Sequence, residues 1–400
     1  MNRTICVVGL GYIGLPTASF LGTKGYRVVG VDLEPRVVET INRGEIHIVE
    51  PDLDILVKSA VQSGNLRATG EPEEADVFII AVPTPIRQPG NRPDVSYVEA
   101  ATRSIAPHVR AGNLVLIEST IPVGTTETVV LPILRAESPD GADGVHVAHC
   151  PERVLPGRIL VELVGNDRIV GGIDAESSEA AADFYRSFVR GEVLKTTAAT
   201  AEMAKLSENT FRDVNIALAN ELSIICDKHG IDPWEMIALA NRHPRVNILQ
   251  PGPGVGGHCI AVDPWFVVAA APEDAHLVST ARRVNDSKPG WVLGKIRAAA
   301  KRFEKPVIGC LGLAFKANVD DLRGSPAVEI VRRVRDEGLG ELLICEPNLA
   351  AHREFDLTPL DDVLRRANVI VLLVDHTAFR GLKPAQFAGR ALIDTRGVVR

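Results

Sequence analysis

Aromatic residues are scarce in this chain, at 4% of its 400 residues, so its cores must be built from aliphatic side chains. The six cysteines contain no CxxC pair, which argues against a zinc cluster and against a disulfide framework. A reducing compartment, the cytoplasm, is the natural setting for such thiols. We expect Cys6, Cys226, Cys310 and Cys345 to be buried small hydrophobes.

The chain has no excess of positive charge. The net charge is −7 at pH 7, which argues against nucleic acid as the main partner, although a local positive field can still bind a small anion.

The apolar run at residues 5–22 resembles a signal or membrane segment, but glycines recur in it and Pro16 and Thr17 interrupt it. A phosphate-binding turn explains those glycines better, so we predict no membrane partner.

What the chain does contain is two regions in which short apolar runs alternate with helical patterns, up to about residue 150 and again from about residue 305. That alternation is typical of βαβ units and a parallel sheet. Between the two regions, about thirty residues run without Pro or Gly until Gly230, with apolar residues at helical spacing. They predict one long helix that ends near Gly230 and either connects two domains or packs against a partner subunit.

Three glycines, Gly9, Gly11 and Gly14, form a GxGxxG pattern directly after the first predicted strand, and Asp32 ends the second. In that context the pattern predicts a dinucleotide-binding turn whose helix N-terminus holds a pyrophosphate. Asp32 can accept from both ribose hydroxyls and would repel a 2′-phosphate, which favours NAD over NADP. Arg36 weakens that preference slightly, because it is either a phosphate ligand or a solvated helix residue.

These patterns together predict an α/β fold with two Rossmann-like parallel-sheet domains joined by a central helical domain. The predicted boundaries are an NAD-binding domain at 1–195, a helical domain for catalysis and dimerisation at 196–295, and a third domain at 296–400.

Polar side chains follow later strands of the first region, at the sheet edge where ligands bind. Thr84 in "VPTP" and Thr120 in "EST" can reach the cofactor from there, or can simply form turns. Glu152 and Arg153 follow the fifth strand and are either functional or exposed to solvent. On the long helix, Lys205, Asn209 and Arg212 share one face, which is either functional or the wet side of the helix.

The stretch "PGPGVGGHCIAVDPW" places Cys259 after a glycine-rich loop and four residues before Asp263. A loop entering a helix would put the thiol near a helix N-terminus, where the dipole favours the thiolate and a neighbouring histidine or lysine would help. A thiolate beside an NAD site indicates covalent capture of an aldehyde. The alternatives are metal binding by His258, Cys259 and Asp263, for which no companion cluster is evident, and a buried inert thiol.

The segments "GLGYIGLP", "ESTIPVGTT", "AEMAKLSENTFRDVNIALANE", "HPRVNILQPGPGVGGHCIAVDPWF" and "GLAFKANVDDLRGSP" resemble the nucleotide-sugar dehydrogenases of the UDP-glucose 6-dehydrogenase superfamily. The likeness covers nearly the whole chain, in the family's order. The segment around Cys259 is most similar to the bacterial branch that oxidises UDP-N-acetylmannosamine or UDP-N-acetylglucosamine. The resemblance implies a four-electron oxidation of the sugar C6 alcohol by two NAD⁺, through a thiohemiacetal and a thioester on Cys259.

The same resemblance implies roles for other residues. Lys205 would stabilise the developing alkoxide with Asn209 as its helical partner, Asp263 would handle protons, Glu152 would assist thioester hydrolysis or position water, and Thr120 would lie near the cofactor. The implied NAD-binding residues are Gly9, Gly11, Tyr12, Ile13, Gly14, Asp32, Arg36, Thr84 and Thr120. The implied substrate-binding residues are Arg153, Val154, Lys205, Asn209, Arg212, His243, Arg245, Gly256, Phe315, Lys316 and Arg323.

In this family Arg245 is expected to come from a partner subunit, so the resemblance implies a homodimer or a higher homo-oligomer. Phe315 stands where the branch often has tyrosine, so a hydroxyl contact is not expected there. The preferred substrate is UDP-N-acetyl-D-mannosamine, with UDP-N-acetylglucosamine and UDP-glucose as alternatives. Two other functions stay open: a two-electron NAD-dependent alcohol or hydroxyacid dehydrogenase with an inert Cys259, and a non-catalytic NAD-sensing or scaffold protein.

Overall fold

The computed structural model describes residues 3–155 and 157–400. Contacts between Cα atoms divide the chain into two compact units, the first ending at Ser207 and the second beginning at Glu208. The predicted three-domain boundaries stay a prediction. Within the described residues, no helix combines the length and the apolar character that crossing a bilayer requires.

The first unit alternates strands and helices, as its alternation of apolar runs and helical patterns predicts. Its strands are β1 (Thr4–Val8), β2 (Arg27–Val31), β3 (Leu66–Thr69), β4 (Val77–Ile80), β5 (Ile86–Arg87), β6 (Arg92–Pro93), β7 (Leu114–Ile117), β8 (His146–His149), β9 (Arg168–Gly172) and β10 (Val193–Thr197). Its helices are α1 (Gly14–Thr23), α2 (Pro35–Asn42), α3 (Leu53–Gln62), α4 (Ser96–Ile105), α5 (Leu131–Glu137), α6 (Ile159–Gly165) and α7 (Ala175–Arg186).

Eight of these strands form one sheet in the order β10-β9-β8-β7-β4-β1-β2-β3. The five predicted strands, β1, β2, β4, β7 and β8, form a continuous parallel block at its centre and bury apolar residues on both faces, as Val- and Ile-rich runs require. The sequence did not predict β3, β9 and β10, and β9 pairs antiparallel with β8. The parallel-sheet prediction is therefore confirmed for the block that positions the glycine turn.

The predicted long helix is α8 (Ala198–His229), and it ends at Gly230, whose φ of +67° is the left-handed conformation that glycine adopts at a helix end. Both features confirm the prediction. The second unit continues with α9 (Pro233–Ala240), α10 (Asp263–Ala270) and α11 (His276–Ala300).

The second sheet contains the four strands predicted after residue 305. They are β11 (Val307–Leu311), β12 (Glu341–Cys345), β13 (Val369–Leu372) and β14 (Ala391–Asp394), with α12 (Pro326–Asp336) and α13 (Leu360–Arg366) between them. All pairs are parallel, in the order β12-β11-β13-β14. From β11 the chain adds β12 on one side, and then β13 and β14 on the other. The strand order therefore reverses between β11 and β13, and α/β sheets bind ligands at such a point.

The two sheets begin with the same turn. Gly9 and Gly312 have φ values of +92° and +93°, and the N–H of each donates at 2.8 Å to the last residue of the neighbouring strand. The N–H of the residue after each glycine then donates to an acid, Asp32 in the first unit and Glu346 in the second, at 3.0 and 2.7 Å. The segments "CVVGLGYIG" and "VIGCLGLAF" thus share one local structure.

The two acids differ in their surroundings. Glu346 is buried and accepts a further hydrogen bond from Nε2 of buried His376 at 3.0 Å. Burial alone would raise the pKa of Glu346, but the hydrogen bonds from His376 and from backbone N–H groups lower it to about 2. Asp32 is only partly buried.

Candidate active site

The glycine turn of the first unit is packed so closely that side chains are excluded at two positions. A Cβ built on Gly14 would lie 1.7 Å from the carbonyl oxygen of Gly9, and one on Gly9 would lie 2.7 Å from the carbonyl oxygen of Ala81. By contrast, no heavy atom of the described chain lies within 4 Å of a Cβ built on Gly11. The turn therefore packs tightly against the residue that follows β4 and leaves free space next to Gly11. Such space is required if the backbone at Gly11 is to approach a pyrophosphate.

Asp32 shapes the same turn. Its two carboxylate oxygens accept from the N–H groups of Leu10 and Glu34, each at 3.0 Å, so the carboxylate is fixed beside the glycines. Each oxygen has a further lone pair for a ribose hydroxyl. This chemistry fits NAD. Around it, Ile13 forms the N-cap of α1, and Tyr12 and Arg36 are exposed.

Thr84 and Thr120 lie at the carboxyl ends of β4 and β7 and contact each other. The Thr84 hydroxyl donates to the carbonyl oxygen of Thr120 at 2.5 Å, and the hydroxyl of Ser119 donates to the carbonyl of Val82 at 2.8 Å. These bonds join the two loops, as expected of residues on one ligand-binding edge. Whether either threonine contacts the cofactor stays a prediction.

Glu152, which follows β8, is buried rather than exposed to solvent. Its carboxylate forms an ion pair with Arg168 at 2.6 Å, and both side chains are at most 5% exposed. It also accepts from the N–H of Arg153 at 2.7 Å. The guanidinium holds Glu152 in one place, which suits positioning a water more than free movement towards a substrate.

The sequence did not indicate the group that lies next to this pair. Glu118 is buried at the end of β7 and accepts from the Tyr185 hydroxyl at 2.7 Å. Burial raises the pKa of Glu118 to about 7, although the charge of Arg168 opposes the shift. Arg168 thus lies between two acids that are far apart in sequence. The only local signal was that Glu118 directly follows a predicted strand.

Lys205 is half-buried on the first turns of α8. The pKa of His149, the last residue of β8, is lowered to about 3, mainly by burial and in addition by the positive charge of Lys205. The Lys205 ammonium therefore lies near the end of β8. Glu202, one turn earlier, anchors this part of α8 by accepting from the N–H and the hydroxyl of Thr126 at 2.9 and 2.6 Å. Lys205 therefore stands on a fixed helix beside the strand that precedes Glu152.

Cys259 is exposed, and its sulfur lies 3.0 Å from Nδ1 of His258. Its carbonyl oxygen accepts from the N–H groups of Val262 and Asp263, at 2.9 and 2.8 Å. These two bonds close a turn over residues 259–263, and the helix α10 begins only at Asp263. The thiol therefore lies one turn before the helix and not within its first turn. Partial burial lowers the pKa of His258, and the charge of Arg323 lowers it further, so the imidazole is neutral at pH 7.

Asn209 and Asp263 form a buried pair in the second unit. Asn209 Nδ2 donates to Asp263 Oδ2 at 2.6 Å, and the two residues are 8% and 4% exposed. The sequence predicted both residues separately, and the structure brings them together one turn from the thiol.

A cleft lies at the carboxyl ends of β11 and β13, on either side of the point where the strand order of the second sheet reverses. Phe315 and Lys316 line it, as predicted substrate residues, together with Pro253 and Gly254 of the loop that leads to Cys259. Arg396, which the sequence analysis missed, also lines the cleft and pairs with Asp375 at 2.7 Å. Its signal was its place directly after the last strand, in "DTRG".

The glycines before the thiol pack against the segment after β11. A Cβ on Gly256 would lie 2.6 Å from the carbonyl oxygen of Gly324 and 3.1 Å from Cβ of Phe315. The N–H of Gly257 donates to the carbonyl oxygen of Arg323 at 3.1 Å. Gly256, Phe315 and Arg323 are therefore brought together, and the close approach explains why glycine stands at 256.

Other predicted residues stay apart from this cluster. In the described parts of the chain, Arg212, His243 and Arg245 are exposed and do not line the cleft of the second unit. Val154 packs against the core of the first unit. Roles for all four residues, and for Arg153, stay predictions.

The remaining cysteines are buried, as predicted for Cys6, Cys226, Cys310 and Cys345. Burial raises the pKa of Cys6 and of Cys310 to about 12, so neither is a thiolate at neutral pH. No group of three metal-ligating side chains occurs within residues 3–155 and 157–400, and the expectation that no metal is bound stays a prediction.

Three family models match the chain in succession. They describe the NAD binding domain of the UDP-glucose/GDP-mannose dehydrogenase family at residues 3–189, its central domain at 199–287 and its UDP binding domain at 309–400.

Individual relatives are similar over nearly the full length. The NDP-N-acetyl-D-galactosaminuronic acid dehydrogenase of Ralstonia nicotianae is 58% identical over 99% of this chain and 96% of its own. The UDP-N-acetyl-D-mannosamine dehydrogenase of Escherichia coli K12 is 51% identical over 99% of both chains. Among solved structures, the UDP-D-ManNAc dehydrogenase of Pyrococcus horikoshii has a TM-score of 0.89 at 41% identity, over 99% of this chain and 96% of that one.

Proposed function

The chain belongs to the UDP-glucose/GDP-mannose dehydrogenase family, and from that premise we propose that it oxidises C6 of a UDP-N-acetylhexosamine to the uronic acid. It is an NAD-dependent UDP-sugar dehydrogenase, and NAD⁺ when bound accepts the hydride of each oxidation. The observation that carries the proposal is the exposed thiol of Cys259, 3.0 Å from Nδ1 of His258 and one turn before the buried Asn209–Asp263 pair.

The first oxidation removes a hydride from the C6 carbon and a proton from its hydroxyl, and leaves an aldehyde. The Lys205 ammonium stabilises the alkoxide that develops on the oxygen, because a fixed positive charge gains most where negative charge appears. The hydrogen bonds of Glu202 to Thr126 keep this part of α8 in place during the reaction.

The second oxidation proceeds on the enzyme. The Cys259 sulfur bonds to the aldehyde carbon and its proton passes to Nδ1 of His258. The imidazolium returns a proton to the aldehyde oxygen, which becomes the hydroxyl of a thiohemiacetal. Loss of a hydride from that carbon, and of the hydroxyl proton, leaves a thioester. Water then adds to the thioester carbon, Asp263 handles its protons, and the thiol leaves, so that the uronic acid is released. Glu152, fixed by Arg168, positions the water.

The N-acetylhexosamine class is supported by relatives that are more than half identical to this chain. The manno configuration is our first candidate, and it is supported by the similarity to UDP-N-acetyl-D-mannosamine dehydrogenases. The relative at 58% identity, which is named for an N-acetyl-D-galactosaminuronic acid, makes the galacto configuration the second candidate. Six cysteines without a CxxC pair suit the reducing cytoplasm as the site of action.

The experiment is to incubate the purified protein with NAD⁺ and, separately, with the UDP-linked N-acetyl-mannosamine, -glucosamine and -galactosamine and with UDP-glucose. We expect two NADH for each uronic acid, and the highest kcat/KM with an N-acetylated sugar. One NADH per sugar, with an aldehyde as the product, would instead indicate a two-electron dehydrogenase. A protein that binds NAD⁺ but produces no NADH with any of the sugars would indicate a non-catalytic role.

We also propose that the protein acts as a homodimer or a higher homo-oligomer that pairs through α8. Phe211, Leu218 and Ile225 are 60%, 46% and 46% exposed, and their spacing of seven residues places them on one face of the helix. An exposed apolar stripe on a long helix fits a second copy of the same helix. The contribution of Arg245 across the subunits belongs to this proposal.

Replacing Phe211 by Glu is expected to shift the protein to monomers in light scattering, because a carboxylate would be buried at the interface. The matched control is Asp227→Asn, an exposed position on the opposite side of the same helix, which should keep the wild-type mass. A monomeric wild type would contradict the oligomer without affecting the proposed reaction chemistry.

A further inference from the structure

The loop that carries the thiol, residues 252–263, is attached to α8 at both ends. At its start, the N–H of Gly252 donates to Asn220 Oδ1 at 2.9 Å. At its end, Asn209 donates to Asp263 at 2.6 Å. Asn209 and Asn220 lie about three turns apart on α8 and therefore on the same face. We call residues 252–263 the thiol loop.

Asn220 is itself held by a buried polar network. Its Nδ2 donates to Asn285 Oδ1 at 2.9 Å, and Asn285 Nδ2 donates to Asp213 Oδ1 at 2.7 Å. Arg282 then pairs with Asp213 at 2.6 Å, and all four residues are at most 2% exposed. Because the Asn220 amide nitrogen is engaged by Asn285, the amide keeps its oxygen directed at Gly252.

Gly252 begins one wall of the cleft in the second unit. A Cβ on Gly252 would lie 2.5 Å from the Arg396 guanidinium, so the backbone there is in close contact with a residue that lines the cleft. Pro253 and Gly254 follow directly and line the cleft themselves. The bond from Gly252 to Asn220 therefore fixes how far this wall stands from Arg396.

We infer that Asn220 is a positioning residue for the nucleotide half of the substrate, acting through Gly252 and the wall of the cleft. The inference rests on the proposed function, and it takes the cleft lined by the predicted substrate residues Phe315 and Lys316 as the site of the UDP moiety. Asn209 holds the other end of the thiol loop through Asp263. One face of α8 therefore holds both the cleft wall that begins at Gly252 and the turn that follows Cys259. Loss of Asn220 should weaken nucleotide binding before it affects the chemistry at Cys259.

The test compares Asn220→Leu, which keeps the volume but removes the acceptor, with Asn220→Asp, which keeps an oxygen for Gly252. Titration calorimetry with UDP is expected to give a Kd about tenfold higher for N220L, since the hydrogen bond that holds Gly252 is lost, and a smaller change for N220D. The Kd for NAD⁺ should not change. In turnover, KM for the UDP-sugar should rise by more than kcat falls.

Ser223→Ala is the matched structural control. The Ser223 hydroxyl donates to the carbonyl of Asn220 at 2.7 Å and accepts from Lys288, so S223A disturbs the same helix pair. It should lower Tm without changing the Kd for UDP. If N220L does not fold, Asn285→Ala replaces it and should raise the same Kd about threefold, because the Asn220 amide loses its partner.

Two results would overturn the inference, and they are distinguishable. If UDP binds the wild type and each folded variant equally well, Asn220 has only a structural role. If the wild type does not bind UDP at all, the proposed nucleotide cleft fails and the inference fails with it.

Discussion

Replacing Cys259 by Ala is expected to lower the rate of uronic acid formation by at least about a thousandfold, because the second oxidation needs a covalent bond between sulfur and the aldehyde carbon. The first oxidation does not use the thiol, so the variant should still produce up to one NADH per sugar and release an aldehyde. Stopped-flow measurement of NADH, with mass spectrometry of the sugar product, separates the two steps.

Cys226→Ala is the control for this experiment, since Cys226 is buried in α8 and has no proposed role. It should retain wild-type turnover and two NADH per sugar. A Cys259→Ala protein that formed uronic acid at the wild-type rate would contradict the thioester scheme while leaving the family assignment intact. Thermal unfolding should be similar for wild type and C259A, because the thiol is exposed.

The second large effect is expected at the glycine turn, where two substitutions of the same kind should have different outcomes. Gly14→Ala places a methyl group 1.7 Å from the Gly9 carbonyl oxygen, so α1 must move away from β1. We expect a loss of about 3 kcal/mol in the free energy of unfolding, at the upper end for an overpacked site, and no measurable NAD⁺ binding.

Gly11→Ala introduces the same methyl group into open space. The free energy of unfolding should change by no more than about 0.5 kcal/mol, but the Kd for NAD⁺ should rise at least about tenfold, because the methyl group would occupy the space of the pyrophosphate. Urea unfolding and calorimetry with NAD⁺ measure the two quantities. If G11A bound NAD⁺ like the wild type, the pyrophosphate would have to lie elsewhere.

The parts of the fold that the sequence predicted are those set by local patterns. The long helix α8 followed from a run without Pro or Gly, and its end from Gly230. Strands buried on both faces, such as β4 and β13, are continuous apolar runs and were predicted as strands. Each of these elements carries its own signal within one segment of sequence.

The missed strands have weaker local signals. β3, with the sequence "LRAT", is short and partly exposed, and β10 forms an edge of the sheet with exposed side chains. The antiparallel pairing of β9 with β8 is decided by tertiary contacts, which a pattern within one segment does not contain.

The candidate site divides in the same way. The glycine turn, Asp32 and the Cys259 segment are contiguous motifs, and the sequence identified them. The partners of these residues come from distant segments: Arg168 beside Glu152, and Arg396 beside the Gly252 backbone. A charged loop residue is ordinarily expected to be solvated, but Glu152 is buried. The sequence does not show this, because the guanidinium that neutralises Glu152 belongs to the distant Arg168.

The repeated turn at Gly9 and Gly312 has a consequence for selectivity between the two nucleotides. In the second unit the acid after the neighbouring strand is already committed to His376, so its oxygens are not available to the adenosine ribose of a coenzyme. The same turn therefore presents two different acids: the Asp32 carboxylate is half-buried, and the Glu346 carboxylate is buried and bonded to His376. We therefore expect that a saturating concentration of NAD⁺ does not compete with the sugar nucleotide for the second sheet.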